Sequence, residues 1–205
     1  MDNKKWNHKY AASERLWPEE PSAVLVDEVS GLSPGRALDI AAGEGRNAIW
    51  MAKAGWQVHA LDFSDVAVAR GRAFSKKAGL DIEWEVQDIT TFCPAEDAYD
   101  LVYIFYLHLP WEEMSGVIRR AGQALKRMGR LLIVGHDRSN IGRGTGGPQD
   151  SEVVYTSGEI LKILDFLEIE RAGTICRPVE HEHSRDQSRP SEMAVDCIVL
   201  ARRTE

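Results

Sequence analysis

Short apolar runs alternate with longer amphipathic stretches through most of this chain. Residues 36–40, 56–62, 82–88, 99–105 and 130–135 are runs of about five to seven positions rich in Val, Ile, Leu and aromatics. Such runs read as strands. Residues 99–105 (Tyr-Asp-Leu-Val-Tyr-Ile-Phe) are almost continuously apolar, as a central parallel strand buried on both faces should be. Between the runs lie stretches with helical spacing: a helix opening at Asn47, one from Ser64 or Asp65 through Ala78, and one over 111–126. Gly79 ends the second of these, and Ser64 or Asp65 suits its N-cap. Strand and helix in alternation predict an α/β fold with a parallel sheet covered on both faces.

The two ends depart from this rhythm. Residues 10–16 read as a short helix ended by Pro18, and 22–29 as an amphipathic helix leading into the Ser33-Pro34-Gly35 turn. Residues 138–157 form a loose stretch with glycines at 142, 144, 146 and 147 and no Walker A pattern. It reads either as a flap that closes over a ligand or as a mobile connector. Ser157 caps a helix to about residue 164. Two more alternating strands, 167–177 and 193–201, then flank a charged loop over 179–190. No internal repeat or interdomain linker interrupts the sequence, so 1–205 is read as one domain.

The chemistry concentrates where the first strand ends. Arg36-Ala37-Leu38-Asp39-Ile40 runs into Ala41-Ala42-Gly43-Glu44-Gly45-Arg46-Asn47 and then into a helix. Small residues let a ligand lie against the backbone, and a helix N-terminus offers unpaired N–H groups and a partial positive charge. Gly43, Gly45 and Ala48 fit the G-x-G-x-x-G/A spacing, which by itself is weak evidence of a nucleotide. Asp62 closes the second strand and Asp88 the third. Three strand-end carboxylates therefore line the carboxyl edge of the sheet, where open α/β sheets bind ligands. A carboxylate at Asp62 has the acceptors for a ribose diol.

Composition narrows the partners. The chain has 205 residues, 43% apolar and 28% charged, and a net charge of -7. An acidic balance argues against nucleic acid phosphates and anionic membranes as partners. No apolar run is long enough to span a bilayer, and residues 1–6 lack a signal-peptide core, so a cytoplasmic protein is expected. Cys93, Cys176 and Cys197 are far apart and read as buried free thiols. His181-x-His183 alternates with Glu180 and Glu182 and reads as a solvated loop; no metal site is expected. His59 lies inside a strand and reads as a packing residue.

The pattern Leu38-Asp39-x-Ala41-x-Gly43-x-Gly45-Arg46-Asn47, followed by Asp62 and Asp88, resembles class I S-adenosylmethionine-dependent methyltransferases over nearly the whole chain. Ala41 stands where that family commonly has glycine. The resemblance implies a doubly wound, seven-stranded, mostly parallel sheet of order 3-2-1-4-5-7-6 with an antiparallel C-terminal hairpin. It implies S-adenosylmethionine as cofactor and a small-molecule methyl acceptor. Asp39, Ala41, Gly43 and Gly45 would contact the methionine part, with Arg46 and Asn47 opening the helix beneath it. Asp62 would hold the ribose, Phe63 would lie against the adenine, and Asp88 and Ile89 would meet the adenine edge. Tyr106 would sit near the sulfonium. Trp6 and Tyr10, in W-x-x-x-Y spacing, are similar to a segment preceding the fold in thiopurine-methyltransferase-like and tellurite-resistance-type enzymes, which makes residues 1–17, His8 included, a candidate lid.

The acceptor side follows the fourth and fifth strands. His136 and His108 are the base candidates there, since imidazole titrates near neutrality; Asp137 is adjacent to His136 but not thereby its partner. With no paired His–carboxylate evident in the sequence, and with the tellurite-resistance-type resemblance, a soft nucleophile such as a thiol or a chalcogen oxyanion is the expected acceptor. Two alternatives stay open. A nicotinamide-dependent oxidoreductase shares the Gly43, Gly45, Ala48 and Asp62 pattern, and a non-catalytic regulator would bind the cofactor without turnover.

Overall fold

The computed structural model describes residues 3–179 and 192–204. Seven strands form one sheet of order β3-β2-β1-β4-β5-β7-β6. They are β1 (Arg36–Ile40), β2 (Gln57–Asp62), β3 (Glu83–Val86), β4 (Tyr99–Phe105), β5 (Leu125–His136), β6 (Glu168–Val179) and β7 (Glu192–Arg202). The first five are parallel; β7 runs antiparallel between β5 and β6. The expected architecture and order are therefore present. His181 and His183 lie outside the described residues.

Alternate residues of each central strand supply two apolar faces. Leu38, Ile40, Val102, Ile104, Leu131 and Ile133 pack under α5 (Trp111–Gln123) and α6 (Ser157–Leu161). Ala37, Val58, Ala60, Leu101, Tyr103 and Leu132 pack under α2 (Ala23–Val29), α3 (Arg46–Lys53) and α4 (Asp65–Lys77). Met114, Val117, Ile118 and Ala121 recur at helical spacing on α5 and are buried, the three larger side chains each contributing about 1.5–3 kcal/mol of burial. Two tight packings also specify glycines: Trp84 of β3 lies where a Cβ would stand on Gly45 and on Gly71.

Several boundaries differ from the sequence expectation. The N-terminal helix, α1, spans Asn3–Ala11, not 10–16. Its fixing contacts are polar: Asn3 donates to the Phe63 carbonyl, and Asn7 bonds Asp65 and Ser64. α5 ends at Gln123, because β5 begins at Leu125 and takes an irregular register with β4 between Tyr99 and Leu101. The last helix is capped by Thr156, in a reciprocal pair with Glu159, and stops at Leu161. Cys197 is buried as expected, but Cys93 and Cys176 are exposed. His59 is buried yet polar in function: its ring reaches Tyr99 Oη at 2.9 Å and Glu85 Oε2 at 3.1 Å. Among the described residues no helix is long and apolar enough to cross a membrane.

Candidate active site

The carboxyl ends of β1, β2 and β3 bring Asp39, Asp62 and the 86–90 segment to one edge, as parallel pairing requires. After β1 the chain turns sharply. Ala41, Gly43 and Gly45 all have positive φ, at 63°, 58° and 83°. Ala41 therefore sits in a backbone region that favours glycine. An alanine in the left-handed region costs about 1–2 kcal/mol. Ala41→Gly is therefore expected to stabilise the protein by about 0.5–1 kcal/mol, after subtracting about 0.4–1 kcal/mol for the looser unfolded chain. Urea unfolding checks this; a lower midpoint would show the methyl packs usefully.

Gly45 N-caps α3, but a Cβ there would lie 2.2 Å from Trp84 Cη2. The glycine is thus demanded by core packing, not only by ligand approach. A Cβ on Gly43 would instead meet Tyr10 Oη at 2.9 Å. Tyr10 is buried, with Trp6 tilted against it at 5.9 Å and Trp17 Nε1 3.5 Å from its hydroxyl. The N-terminal segment therefore lies across the glycine turn. Glu44 fastens it: its buried carboxylate accepts from the Leu16 and Trp17 backbone N–H groups at 2.8 and 3.4 Å and from Arg70 at 2.9 Å. In the sequence Glu44 is a lone acid between two glycines, with no local signal of this role.

Asp62 is 4% exposed and accepts from Gly43 N and Ser64 N, both at 2.9 Å. Burial pushes its carboxyl upward, against the pull of these backbone donors. The Phe63 backbone N–H adds a third donor to this carboxylate, which with about four acceptor sites still has room for a ligand hydroxyl. Asp39 is 2% exposed, and neither its Oδ2 nor the neighbouring Tyr103 hydroxyl makes an aligned hydrogen bond. Burial pushes its carboxyl up to about 8; Tyr103 and Arg46 oppose the shift and Asp62 adds to it. Asn47 is turned away from the edge, its Oδ1 accepting from Ser22 N at 2.9 Å. A cavity of about 360 Å³ opens beside Asp62, lined by Asn3, Phe63, Val86, Asp88, Ile89 and other residues of that edge. Asp88 Oδ1 is committed to Thr90, which holds its carboxyl below the usual range.

The structure fits the implied cofactor on observations of its own. Asp39 offers a buried carboxyl oxygen without an aligned hydrogen bond, Gly43 a position where a side chain would intrude, and Phe63, Asp88 and Ile89 line a cavity at the same edge of the sheet. Among the described residues no three His, Cys, Asp or Glu are grouped to share a metal ion.

Strands β4 to β7 bring together a cluster that local sequence does not reveal. His136 ends β5 directly opposite Asp196 of β7 in the antiparallel register. His136 Nδ1 lies 3.0 Å from Asp196 Oδ1, at ion-pair distance but out of hydrogen-bond alignment. Asp196 Oδ2 accepts from Tyr106 Oη and Arg177 Nε, both at 2.9 Å. Asp196 is fully buried; burial alone would raise its carboxyl, but His136, Arg177 and Tyr106 hold it below the usual range. Tyr106 sits at φ 54°, a backbone strain uncommon for an aromatic residue and typical of functional positions. Asp137, the neighbour in sequence, points elsewhere and caps the Arg138–Asn140 turn through Ser139. The expectation of no paired His–carboxylate is corrected: the pair exists across two strands. One signal was available, since Asp196 is the only charge in the apolar run 193–201.

His108 is placed differently. Its Nε2 accepts from the His136 backbone N–H at 3.1 Å, and its ring stacks on His136 at 5.4 Å. Burial, with His136 adding to it, pushes its titration down to about 4. The glycine-rich stretch is pinned over this cluster. Asn140 bonds Val195 N and the Gly146 carbonyl, Thr145 N bonds the Met193 carbonyl, and a Cβ on Gly147 would lie 2.3 Å from His136 Cδ2. In this structure the stretch is an ordered cover on His136.

Residues 37–129 match the family model of a methyltransferase domain. The matched stretch takes in the glycine turn and strands β1 to β4 with the helices between them. Individual relatives are similar over part of their length. It is 25% identical over 112 residues to the probable S-adenosyl-L-methionine-dependent methyltransferase TehB of Haemophilus influenzae (strain 10810), covering 54% of this chain and 39% of that protein. The chain thus spans well under half the length of that relative. It is 27% identical over 140 residues to the ubiquinone biosynthesis O-methyltransferase of Xanthomonas euvesicatoria pv. vesicatoria, covering 61% of this chain and 58% of that protein. The crystal structure of TehB from Haemophilus influenzae superposes with a TM-score of 0.71 at 20% identity, over 88% of this chain and 61% of that one.

Proposed function

We propose that this protein transfers a methyl group from S-adenosylmethionine to a small-molecule acceptor. The observation that carries the reading is the set of features at the carboxyl edge: the buried Asp39 carboxyl, the Gly43 turn bonded to Asp62, and a cavity lined by Phe63, Asp88 and Ile89. When bound, the cofactor supplies a methyl group already activated on a sulfonium, so the protein's work is positioning and exclusion of water. Asp39 would face the ammonium of the methionine part, beside Gly43. Asp62 would hold a ribose hydroxyl with its remaining acceptor site. Phe63, Asp88 and Ile89 would enclose the adenine. Tyr10 and the Glu44-fastened segment would serve as the lid over the turn.

A soft nucleophile as acceptor follows from the TehB resemblance alone. The His136–Asp196 pair favours a second reading, in which the acceptor has a proton to lose. The O-methyltransferase relative is consistent with an oxygen acceptor.

Asp39 gives a direct test of the reading. With its carboxyl near 8 in the free protein, it carries a proton at pH 7. Because the folded state holds that proton more tightly than the unfolded chain, the free protein should lose stability as pH rises from about 4 toward 8. A cationic ammonium against Asp39 reverses the preference and expels the proton. Titration calorimetry with adenosylhomocysteine at pH 7, in buffers of different ionisation enthalpy, should show about one proton released per molecule bound. Asp39→Asn should bind with no release. Binding of NADH in place of adenosylhomocysteine would overturn the proposal in favour of an oxidoreductase. Binding with full methyl-transfer silence across thiols, chalcogen oxyanions, phenols and amines would leave a regulator.

A further inference from the structure

We propose that His136 is the general base of the acceptor site, positioned by Asp196, and that the acceptor is a phenolic or enolic hydroxyl that must lose its proton as it is methylated. This rests on the methyltransferase reading and sharpens it.

Geometry separates the two histidines. His108 spends Nε2 on the His136 backbone N–H, so that nitrogen cannot take a substrate proton. His136 presents Nδ1 to Asp196, and among the described residues its Nε2 has no hydrogen-bond partner; a Cβ on Gly147 would lie 2.7 Å from that nitrogen, so an acceptor reaches it only when the Gly147 stretch lifts away. A carboxylate facing Nδ1 favours the tautomer with the hydrogen there, which leaves the Nε2 lone pair free to accept. The misalignment of the Nδ1 contact is of the kind that tightens when substrate binds.

The carboxylate is itself fixed from three sides. Tyr106, Arg177 and His136 arrive from the end of β4, from β6 and from β5. The Arg177 guanidinium also lies 5.4 Å from the Tyr106 ring centroid. The charged and titratable groups around His136 are therefore Asp196, Arg177, Tyr106 and His108, with Arg46 interacting with Tyr106 and Arg177 from the start of α3. An Asp196–Arg177 ion pair would be satisfied without any histidine. Placing His136 on the remaining carboxylate oxygen, with Tyr106 held in a strained backbone to complete the set, is the arrangement that a proton acceptor needs.

The step balances simply. An acceptor oxygen lone pair forms the new O–CH₃ bond as the methyl–sulfur bond breaks and its electron pair stays on sulfur. The acceptor proton passes to His136 Nε2, the imidazolium is stabilised by Asp196, and the proton leaves to solvent. A thiolate or chalcogen anion arrives without that proton and would find the pair idle.

The test has two arms. The first needs no cofactor: nitrogen NMR of labelled histidine in the free protein. Wild-type His136 is expected in the Nδ1–H tautomer when neutral, and Asp196→Asn should move the population toward the Nε2–H tautomer. An Nε2–H tautomer in the wild type overturns the proposal, and because it needs no variant the result stands even if Asp196→Asn fails to fold. The second arm is single-turnover methyl transfer with matched acceptors, phenol and catechol against thiophenol. His136→Gln is expected to lose about 100-fold or more on the hydroxyls, with the ascending limb of the pH profile gone, and less than about tenfold on thiophenol. Equal losses, or methylation of thiophenol with neither hydroxyl a substrate, overturn it. Failure of adenosylhomocysteine to bind the wild type would instead remove the methyltransferase reading beneath it.

Discussion

Gly45→Val is expected to cost about 2–6 kcal/mol of stability before any ligand is considered. Two independent terms contribute. The position has φ 83°, and a β-branched residue forced into that region costs about 1–3 kcal/mol. The new Cβ would also stand 2.2 Å from Trp84 Cη2, and overpacking of this kind costs about 1–3 kcal/mol. Against a typical domain stability of about 5–15 kcal/mol the loss is large. Urea unfolding of Gly45→Val, of Trp84→Leu and of the double variant separates the terms. The double variant should recover the packing share relative to the sum of the singles, leaving the backbone share. A fully stable Gly45→Val that merely fails to bind adenosylhomocysteine would mean the glycine serves the ligand alone.

Asp62→Ala is expected to weaken adenosylhomocysteine binding by about 10–100-fold, since the charge-assisted bond lost from its remaining acceptor site to a ribose hydroxyl is about 1.5–3 kcal/mol. The substitution also orphans Gly43 N and Ser64 N, which Asp62 now satisfies at 2.9 Å each. The loop before α4 and the glycine turn should therefore loosen together, with a loss of stability of about 1–3 kcal/mol per unsatisfied group that stays buried. Calorimetry on protein shown to be folded by circular dichroism is the measurement. Unchanged affinity in a folded Asp62→Ala would remove this residue from the cofactor site and leave it a turn-stabilising carboxylate.

What could be read in advance was local. The apolar run 36–40, the small residues after it and the helix beginning at Arg46 lie next to one another in the chain, and their periodicity suffices to predict strand, turn and helix. Asp39, Asp62 and Asp88 each close a strand run, and parallel pairing carries all three to one edge. The cofactor edge was legible for that reason. The α1 boundaries were not, because Asn3 and Asn7 are fixed by Phe63, Ser64 and Asp65 and no helical propensity of their own announces it.

The sequence by itself determined the strand and helix order, the glycine turn and the acidic edge, since each depends on contacts within about ten residues or on the alternation of whole elements. Only the tertiary structure decided which carboxylate faces His136. Asp137 is the carboxylate next to His136 in the chain, but successive residues of an extended chain point to opposite sides, and Asp137 turns to Ser139. Asp196 reaches His136 because antiparallel pairing of β5 with β7 sets the two directly opposite. That register is fixed by the apolar faces of the two strands, where Val134 meets Ile198 and Leu132 meets Leu200. A shift of one residue would carry the carboxylate to the other face of the sheet and leave His136 without it.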